Sequence, residues 1–502
     1  MPTPPDLAQL LLLGLDRPGS VPLLRQLYLE LRRAILSGVL PPGARLPATR
    51  ALALQLGVAR NTVVAAYDQL LAEGFIEGRT GAGSYVSRDL PEGLEARPRP
   101  GPAPPPLPAP IPHMAQPGTA PFNTGRTAWD ERTARIWRQL TVRRVQRPDP
   151  AMLGYGDPQG ARPLREAIAA YLGAARAVRC TPEQVVVTSG AQQAIGLVLR
   201  VLLTRGDAAW LEDPAYPAVR AALADAGARI IPVPVDGQGM MVGAGVSAAP
   251  RARLAYVTPS SQYPLGVTLS MARRMELLAW ARASGAWVIE DDYDSEFRYA
   301  GRPLASLQGV DEAGRVIYIG TFSKVLFPGL RLGYAVLPPE LLQPVLAARL
   351  LADWHPATLQ EGVVTDFLAE GHFAPHLRRM RQRYRAARDT LVEALQRECG
   401  DALEVEAPDQ GMKLVARLAP GLDDVELAAA AAARGVIARA VSPMYLAAPP
   451  VPGLMLGFSG HEPGALRWAA KTLGACLATA SSRHPPPRSG PSPSRRQPAG
   501  RP

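Results

Sequence analysis

Lys324 follows Thr321-Phe322-Ser323 and precedes an apolar Val325-Leu326-Phe327, with Arg331 seven residues on. The chain has 55 basic residues, and only Lys324, Lys413 and Lys471 are lysines. Arginine stays charged near neutral pH. A lysine amine can lose its proton, and only the neutral amine attacks a carbonyl to form an imine. A lysine kept in so arginine-rich a chain points to titratable amine chemistry. The plain alternative is a surface lysine whose stem lies on apolar neighbours. Two other clusters could serve such an amine. VVVTSG, ending at Ser189-Gly190, runs straight into a helical pattern that begins Ala191-Gln192. The N–H groups of Gly190, Ala191 and Gln192 would then face outward with the positive helix end, as a phosphate requires. In AWVIEDDYD, strand alternation puts Ile289, Asp291 and Tyr293 on one face and Asp292 on the other. A carboxylate beside a ring nitrogen keeps that nitrogen protonated, which makes the ring an electron sink, and a tyrosine can donate to a phenolate oxygen of the same ring. The alternatives for these acids are a metal site or a helix cap. The lack of partner histidines argues against a transition metal, and no metal site is expected.

The elements that must position these groups read as an α/β fold. QVVVTSG precedes the helical AQQAIGLVLRVLL, AAWLEDPAYP precedes AVRAALADAG, and ARLAYVTPS, AWVIEDDYDSEF and RVIYIGTFSK are further apolar runs ending in polar residues. This alternation predicts a largely parallel sheet, and ligands collect at the carboxyl ends of such strands. With 502 residues, 47% hydrophobic and 20% charged, the chain has the composition of a soluble globular protein of several domains. Cys180, Cys399 and Cys476 have no metal-site or disulfide spacing, which suggests a reducing cytosol. The Leu run near the N-terminus lacks the flanks of a signal peptide, and no apolar stretch has membrane-spanning length.

Proline marks the boundaries. Residues 89–121 are expected to be a spacer and 482–502 a disordered basic tail, leaving domains at 14–88 and 122–481. The net charge of +11 is unevenly spread. Residues 1–90 hold nine Arg against seven acids, 122–148 seven against two, and the stretch from Arg483 five against none, so much of the excess lies outside the first domain.

That first domain predicts three helices and a hairpin. Leu23, Leu24, Leu27, Leu31 and Ile35 have helical spacing. Thr49 is placed to cap a second helix that ends at Gly57. ARNTVVAAYDQLLAEG forms a third, with Val63, Tyr67, Leu70 and Leu71 on one face and Gly74 as its stop, and FIEGRTGAGSYV reads as a two-stranded wing. Together these make an α+β winged helix-turn-helix. GARLPATRALALQLGVARNTVVAAYDQLLAEGFIEGRTGAGSYV resembles the GntR family, with Ala48 and Ala59 where the family line has serines. The resemblance implies contacts to double-stranded DNA from Arg50, from Arg60, Asn61 and Thr62 at the start of the recognition helix, and from Arg79 and the Gly81–Gly83 wing tip.

Residues 120–480 resemble the fold type I pyridoxal-phosphate (PLP) enzymes, the aminotransferase superfamily. The phosphate turn, Tyr216 in EDPAYP, TPSSQYPLG, the Asp-x-Tyr strand and Thr-Phe-Ser-Lys with Arg331 follow in that family's order. With the GntR-like module in front, the whole chain resembles a MocR/GabR-type regulator. The resemblance implies that Lys324 carries PLP, that Tyr216 stacks on its ring, and that Asp291 and Tyr293 pair with its nitrogen and phenolic oxygen. Ser189, Gly190, Ala191, Gln192, Thr321, Ser323 and Arg331 would hold the phosphate. Tyr155 would reach the phosphate of a partner subunit, making a homodimer. Two departures stand out. Tyr263-Pro264-Leu265-Gly266 replaces Asn-Pro-x-Gly, and Met455 stands where aminotransferases place a carboxylate-binding arginine, with Arg439 as a possible substitute. No arginine lies two positions after Tyr216; Arg220 is the nearest. Three functions compete: a cytoplasmic bacterial regulator that senses PLP or a small amino compound and binds operator half-sites, an active aminotransferase carrying a DNA module, and a DNA binder whose second domain is only a dimerisation scaffold.

Overall fold

A computed structural model describes residues 15–16, 21–79, 82–89, 118–301 and 304–483. The chain divides into two units, residues 1–109 and 110–502. All but the first two residues of the expected tail, which continue the helix Pro463–Arg483, and all but the ends of the expected spacer lie outside the described residues.

In the first unit, α1 (Leu23–Leu36), α2 (Thr49–Leu56) and α3 (Arg60–Ala72) precede a hairpin of β1 (Ile76–Arg79) and β2 (Gly83–Val86). Leu27, Leu31 and Ile35 of α1 meet Leu52, Leu56, Val63, Tyr67 and Leu70 in one apolar core. The i, i+4 spacing of α1 builds that face. Two expectations change. Thr49 is the first helical residue, not the cap; Ala48 occupies the cap position in extended geometry and offers no side-chain acceptor. Leu71 is 49% exposed, because the stripe through Val63, Tyr67 and Leu70 turns it off the buried face. Gly57 takes the left-handed conformation (φ 61°) that ends α2.

The second unit is built on an eight-stranded sheet of β3 (Val185–Thr188), β4 (Ala208–Asp213), β5 (Arg229–Asp236), β6 (Gly239–Met240), β7 (Leu254–Val257), β8 (Trp287–Asp292), β9 (Val316–Thr321) and β10 (Gly333–Val336). Its order is β3-β10-β9-β8-β7-β4-β5-β6. Pairing is parallel from β5 through β4, β7 and β8 to β9, while β10 runs antiparallel between β9 and β3. Every residue of β3, β7, β8 and β9 is buried, which explains their near-continuous apolar sequence. Helix α4 (Ala191–Leu202) turns Ile195, Val198, Leu199 and Leu202 into the core from one side, and Trp210, Leu277 and Trp280 pack on the other. A second sheet joins β11 (Leu403–Val405), β12 (Lys413–Leu418), β13 (Arg439–Ala440) and β14 (Gly453–Gly457) in the order β11-β12-β14-β13, all antiparallel. The 27-residue helix α5 (Phe373–Cys399) links the two sheets in sequence.

Candidate functional site

The carboxyl ends of β3, β8 and β9 open onto a cavity of about 480 Å³, which the start of β12 also lines. Nine residues expected at the site line it: Ala191, Gln192, Tyr216, Asp291, Tyr293, Thr321, Ser323, Lys324 and Arg331. Ser189 and Gly190 lie just behind, with Arg331 donating to the Ser189 carbonyl at 2.8 Å. Gly190 has a φ of 105°, and a Cβ there would come within 3.2 Å of the Arg331 guanidinium. Glycine at this turn thus lets the arginine reach the N-terminus of α4.

Strand β8 separates its two terminal acids as alternation requires. Asp292 is locked from behind, accepting at Oδ2 from Arg176 Nε (2.9 Å), Tyr318 Oη (2.7 Å) and Ser295 Oγ (2.9 Å). Arg176 continues to Ser260 Oγ (2.7 Å) and the Leu304 carbonyl (2.6 Å). Asp291 faces the cavity and accepts from Tyr256 Oη at 2.5 Å through Oδ2. Its Oδ1 is buried without a partner, as are Ser323 Oγ and Gln192 Oε1, whose residues line the same cavity. Burial pushes the Asp291 carboxyl up to about 6, against the pull of the Tyr256 hydrogen bond. Three unpartnered buried polar atoms around one cavity mark where a polar ligand would complete the hydrogen bonding.

Thr321 caps the short helix Phe322–Val325 by accepting from the Ser323 N–H at 3.1 Å, which sets Lys324 on its first turn. The amine lies against Gly125, where any Cβ would collide with Nζ. Burial first, and then the charge of Lys413, depress the Lys324 amine to about 8, while Asp294 opposes them. Tyr293 donates to the Ser261 carbonyl at 2.8 Å and accepts from Lys413 Nζ at 2.7 Å. Tyr216 and Tyr263 meet edge to face at 5.0 Å.

Sequence reasoning missed Lys413, Asp294, Tyr256 and the Asn123–Arg126 segment, all of which line the cavity. For Lys413 the signal was available: it shares the rarity that singled out Lys324. Tyr155 is not brought to this cavity. It is 81% exposed, stacks on Trp354 at 4.9 Å and lines a separate cleft with Gly156 and Glu361. Met455 is buried with Val441 and Met444, whereas Arg439, its register partner on β13, lines the cavity. Among the described residues no group of His, Cys, Asp and Glu could hold a metal, and no helix is long and apolar enough to cross a membrane.

In the first unit, Arg50, Arg60, Asn61, Arg79 and Gly83 are exposed and Thr62 half-buried, while Gly81 lies outside the described residues. Arg60, Asn61 and Thr62 form the first turn of α3, behind an Ala59 that gives no side-chain cap. Arg79 pairs with Glu77 at 2.6 Å and covers the Tyr85 ring at 4.6 Å. Arg45, not anticipated, bridges to Tyr85 and lies beside Gly83 on the wing.

Residues 127–471 match the aminotransferase class I and II family, and residues 23–86 the gntR family of bacterial regulatory proteins. A probable rhizopine catabolism regulatory protein, MocR, of Rhizobium meliloti is 40% identical over 480 residues, 94% of this chain and 97% of that one. The pyridoxine biosynthesis transcriptional regulator PdxR of Corynebacterium glutamicum is 32% identical over 461 residues, covering 90% and 94%. Among solved structures, Pyrococcus horikoshii kynurenine aminotransferase, in complex with PMP, superposes with a TM-score of 0.65 at 28% identity, over 72% of this chain and 90% of that one. The α-aminoadipate aminotransferase LysN of Thermus thermophilus, complexed with N-(5'-phosphopyridoxyl)-L-leucine, gives 0.66 at 30% identity over 72% and 92%.

Proposed function

This chain belongs to the MocR-type regulators of the GntR family, helix-turn-helix transcriptional regulators with an aminotransferase-like domain, and we propose that it binds PLP at Lys324 and senses PLP or a small amino compound there. The observation that carries the proposal is the convergence of the Lys324 amine with the unpartnered Asp291 Oδ1 and Ser323 Oγ on one cavity. PLP would supply an aldehyde that takes up primary amines and a ring that withdraws electrons. The residues present fit it. Asp291 Oδ1 is free to accept from a protonated ring nitrogen. Ser323, Thr321, the N-terminus of α4 at Gly190, Ala191 and Gln192, and the Arg331 fork held by Ser189 suit a phosphate dianion. Tyr216 offers a ring face. Tyr293 directs its proton to Ser261, so donating to a phenolic oxygen requires its hydroxyl to turn away from that carbonyl.

Lys324 holds its proton weakly, so the neutral amine needed to engage an aldehyde is accessible near physiological pH. The same group could move protons at a bound amine. However, the position of the aminotransferase carboxylate arginine is an apolar, buried Met455, which favours sensing over turnover. In the first unit, Arg60, Asn61 and Thr62 would enter the major groove, Arg50 would contact the same DNA, and Arg79 and the Gly81–Gly83 wing would approach the minor groove or the backbone. In the bacterial cytoplasm, a homodimer completed by Tyr155 of each copy would read two half-sites about 34–36 Å, or a multiple of that, apart.

The test is the visible spectrum of the purified chain with added PLP, beside Lys324→Ala, followed by footprinting of operator DNA with and without PLP and candidate amines. A Lys324-dependent band and a ligand-dependent footprint are expected. A spectrum identical in Lys324→Ala would reduce the second unit to a scaffold. Many turnovers of keto-acid product would make the chain an enzyme.

A further inference from the structure

Five basic side chains line the cavity, Arg126, Lys324, Arg331, Lys413 and Arg439, against two carboxylates, Asp291 and Asp294. A phosphate at Arg331 and an aldehyde at Lys324 would account for two of these cations, and Arg126 donates to the Thr119 carbonyl at 2.6 Å, which leaves Lys413 and Arg439 to be explained. Lys413 is the first residue of β12 and is half-buried on the cavity wall. Its ammonium has three donors. One goes to the neutral Tyr293 hydroxyl at 2.7 Å, and the charge rests 4.9 Å and 4.6 Å from the ring centres of Tyr263 and Tyr293. Among the described residues no carboxylate forms an ion pair with it, although Asp294 acts on it from farther off. Arg439 approaches the same Tyr263, to whose side chain it is hydrogen-bonded. Two cations therefore converge on one side of the pocket, and Met455 removes the arginine that would otherwise read an acid there.

We propose that Lys413, with Arg439 beside it, recognises the carboxylate of an amino-acid effector whose amine engages the site at Lys324. Lys413 is thus a specificity-determining residue, and the effector class is amino compounds that carry an acidic group. This rests on PLP binding at Lys324. A point-charge ammonium on aromatic faces is compact and keeps two donors for a ligand. A second role is built in, because the Lys413 charge also acts on Lys324. The experiment must separate the two.

The PLP-loaded full chain is titrated with matched pairs, each an amino acid and the amine left when its carboxylate is removed, and the spectral shift is read. The wild type should respond at lower concentrations to the acid member of at least one pair. Lys413→Met should lose that preference by about 10- to 100-fold, the scale of one charged hydrogen bond. Lys413→Arg should restore part of it, and a thermal melt of each variant checks folding. A Lys413→Met chain that keeps the acid-over-amine ratio overturns the proposal. So does one that weakens acid and amine equally, which would make Lys413 only an electrostatic neighbour of Lys324. A wild type that binds PLP yet shows no acid preference, or answers no amino acid, overturns it as well. Absence of any Lys324-dependent band instead strikes the cofactor reading beneath it.

Discussion

The depressed Lys324 amine makes a quantitative prediction about pH. With the group at about 8, roughly one amine in ten is neutral at pH 7, against about one in 2,500 for an ordinary lysine near 10.4, a gain of about 200-fold in reactive amine. Burial contributes most to this depression and the Lys413 charge next. Mixing the apo chain with limiting PLP in a stopped-flow instrument, and following the Lys324-dependent band from pH 6 to 10.5, gives the profile. The capture rate should rise tenfold per pH unit at first, bend near 8 and then level off. In Lys413→Met the bend should move upward but stay below 10.4, because burial remains. A rate that climbs steadily to pH 10 in the wild type, or a bend unmoved by Lys413→Met, would refute the electrostatic account. The sign for stability runs the other way. The unfolded chain binds this proton more tightly, so the cost of burying a charged Lys324 is full below about pH 8. It fades as pH rises toward 10.4, and the apo fold gains stability across that window.

Three further outcomes follow from particular contacts. Asp291 is held up to about 6 by burial, so in the apo chain its ionisation destabilises the fold above that pH and not below 3.9; Asp291→Asn should flatten this share of the melting-temperature profile between pH 4 and 7 while weakening PLP binding, both read on the same preparation. Arg176→Met strands the buried Asp292 without its ion pair and should cost about 3–5 kcal/mol in denaturant unfolding of the second unit; a loss under about 1 kcal/mol would show that Tyr318 and Ser295 suffice. Ala59→Ser places an acceptor at a position already in capping geometry and should stabilise the first unit by about 1 kcal/mol; because all seven tryptophans lie beyond residue 118, the gain should appear in far-ultraviolet circular dichroism and not in tryptophan fluorescence.

Local pattern carried the reading of the sheet and of one half of the pocket. β3, β8 and β9 are buried apolar runs that end in polar residues, and Ser189–Gln192, Asp291–Tyr293 and Thr321–Lys324 sit at those ends because strand termination is written within a few residues. The other half of the pocket comes from tertiary closure. Lys413 follows Lys324 by nearly 90 residues, across α5, and the Gln-Gly-Met before it carries no motif. Asn123–Arg126 reaches the site because the Phe122 backbone bridges to Gly457 on β14, a pairing that no periodicity in either segment announces. The cap of α2 was misplaced by one residue since threonine is a favoured cap type, yet the backbone turns helical one position earlier, after an Ala48 that contributes only extended geometry.

The pocket's energetics bear on how such a site could govern DNA. A buried Asp291 oxygen and a buried Ser323 hydroxyl have no partner within the protein, and a ligand that supplies both hydrogen bonds gains from meeting them together. Binding stabilises whichever arrangement of the chain closes this pocket, by an amount set by the ratio of ligand concentration to dissociation constant. That stabilisation reaches the operator only if the closed arrangement also binds DNA with a different affinity, and the coupling is then reciprocal: operator DNA must shift the affinity for the effector by the same factor. Lys413 sharpens the requirement. Its ammonium already rests on Tyr293 and on the faces of two tyrosines, so an incoming carboxylate must draw it from neutral partners rather than from a competing acid. A cation bound only to neutral partners can change them without breaking an ion pair, which suits a residue that reports on a ligand better than one that only anchors the fold.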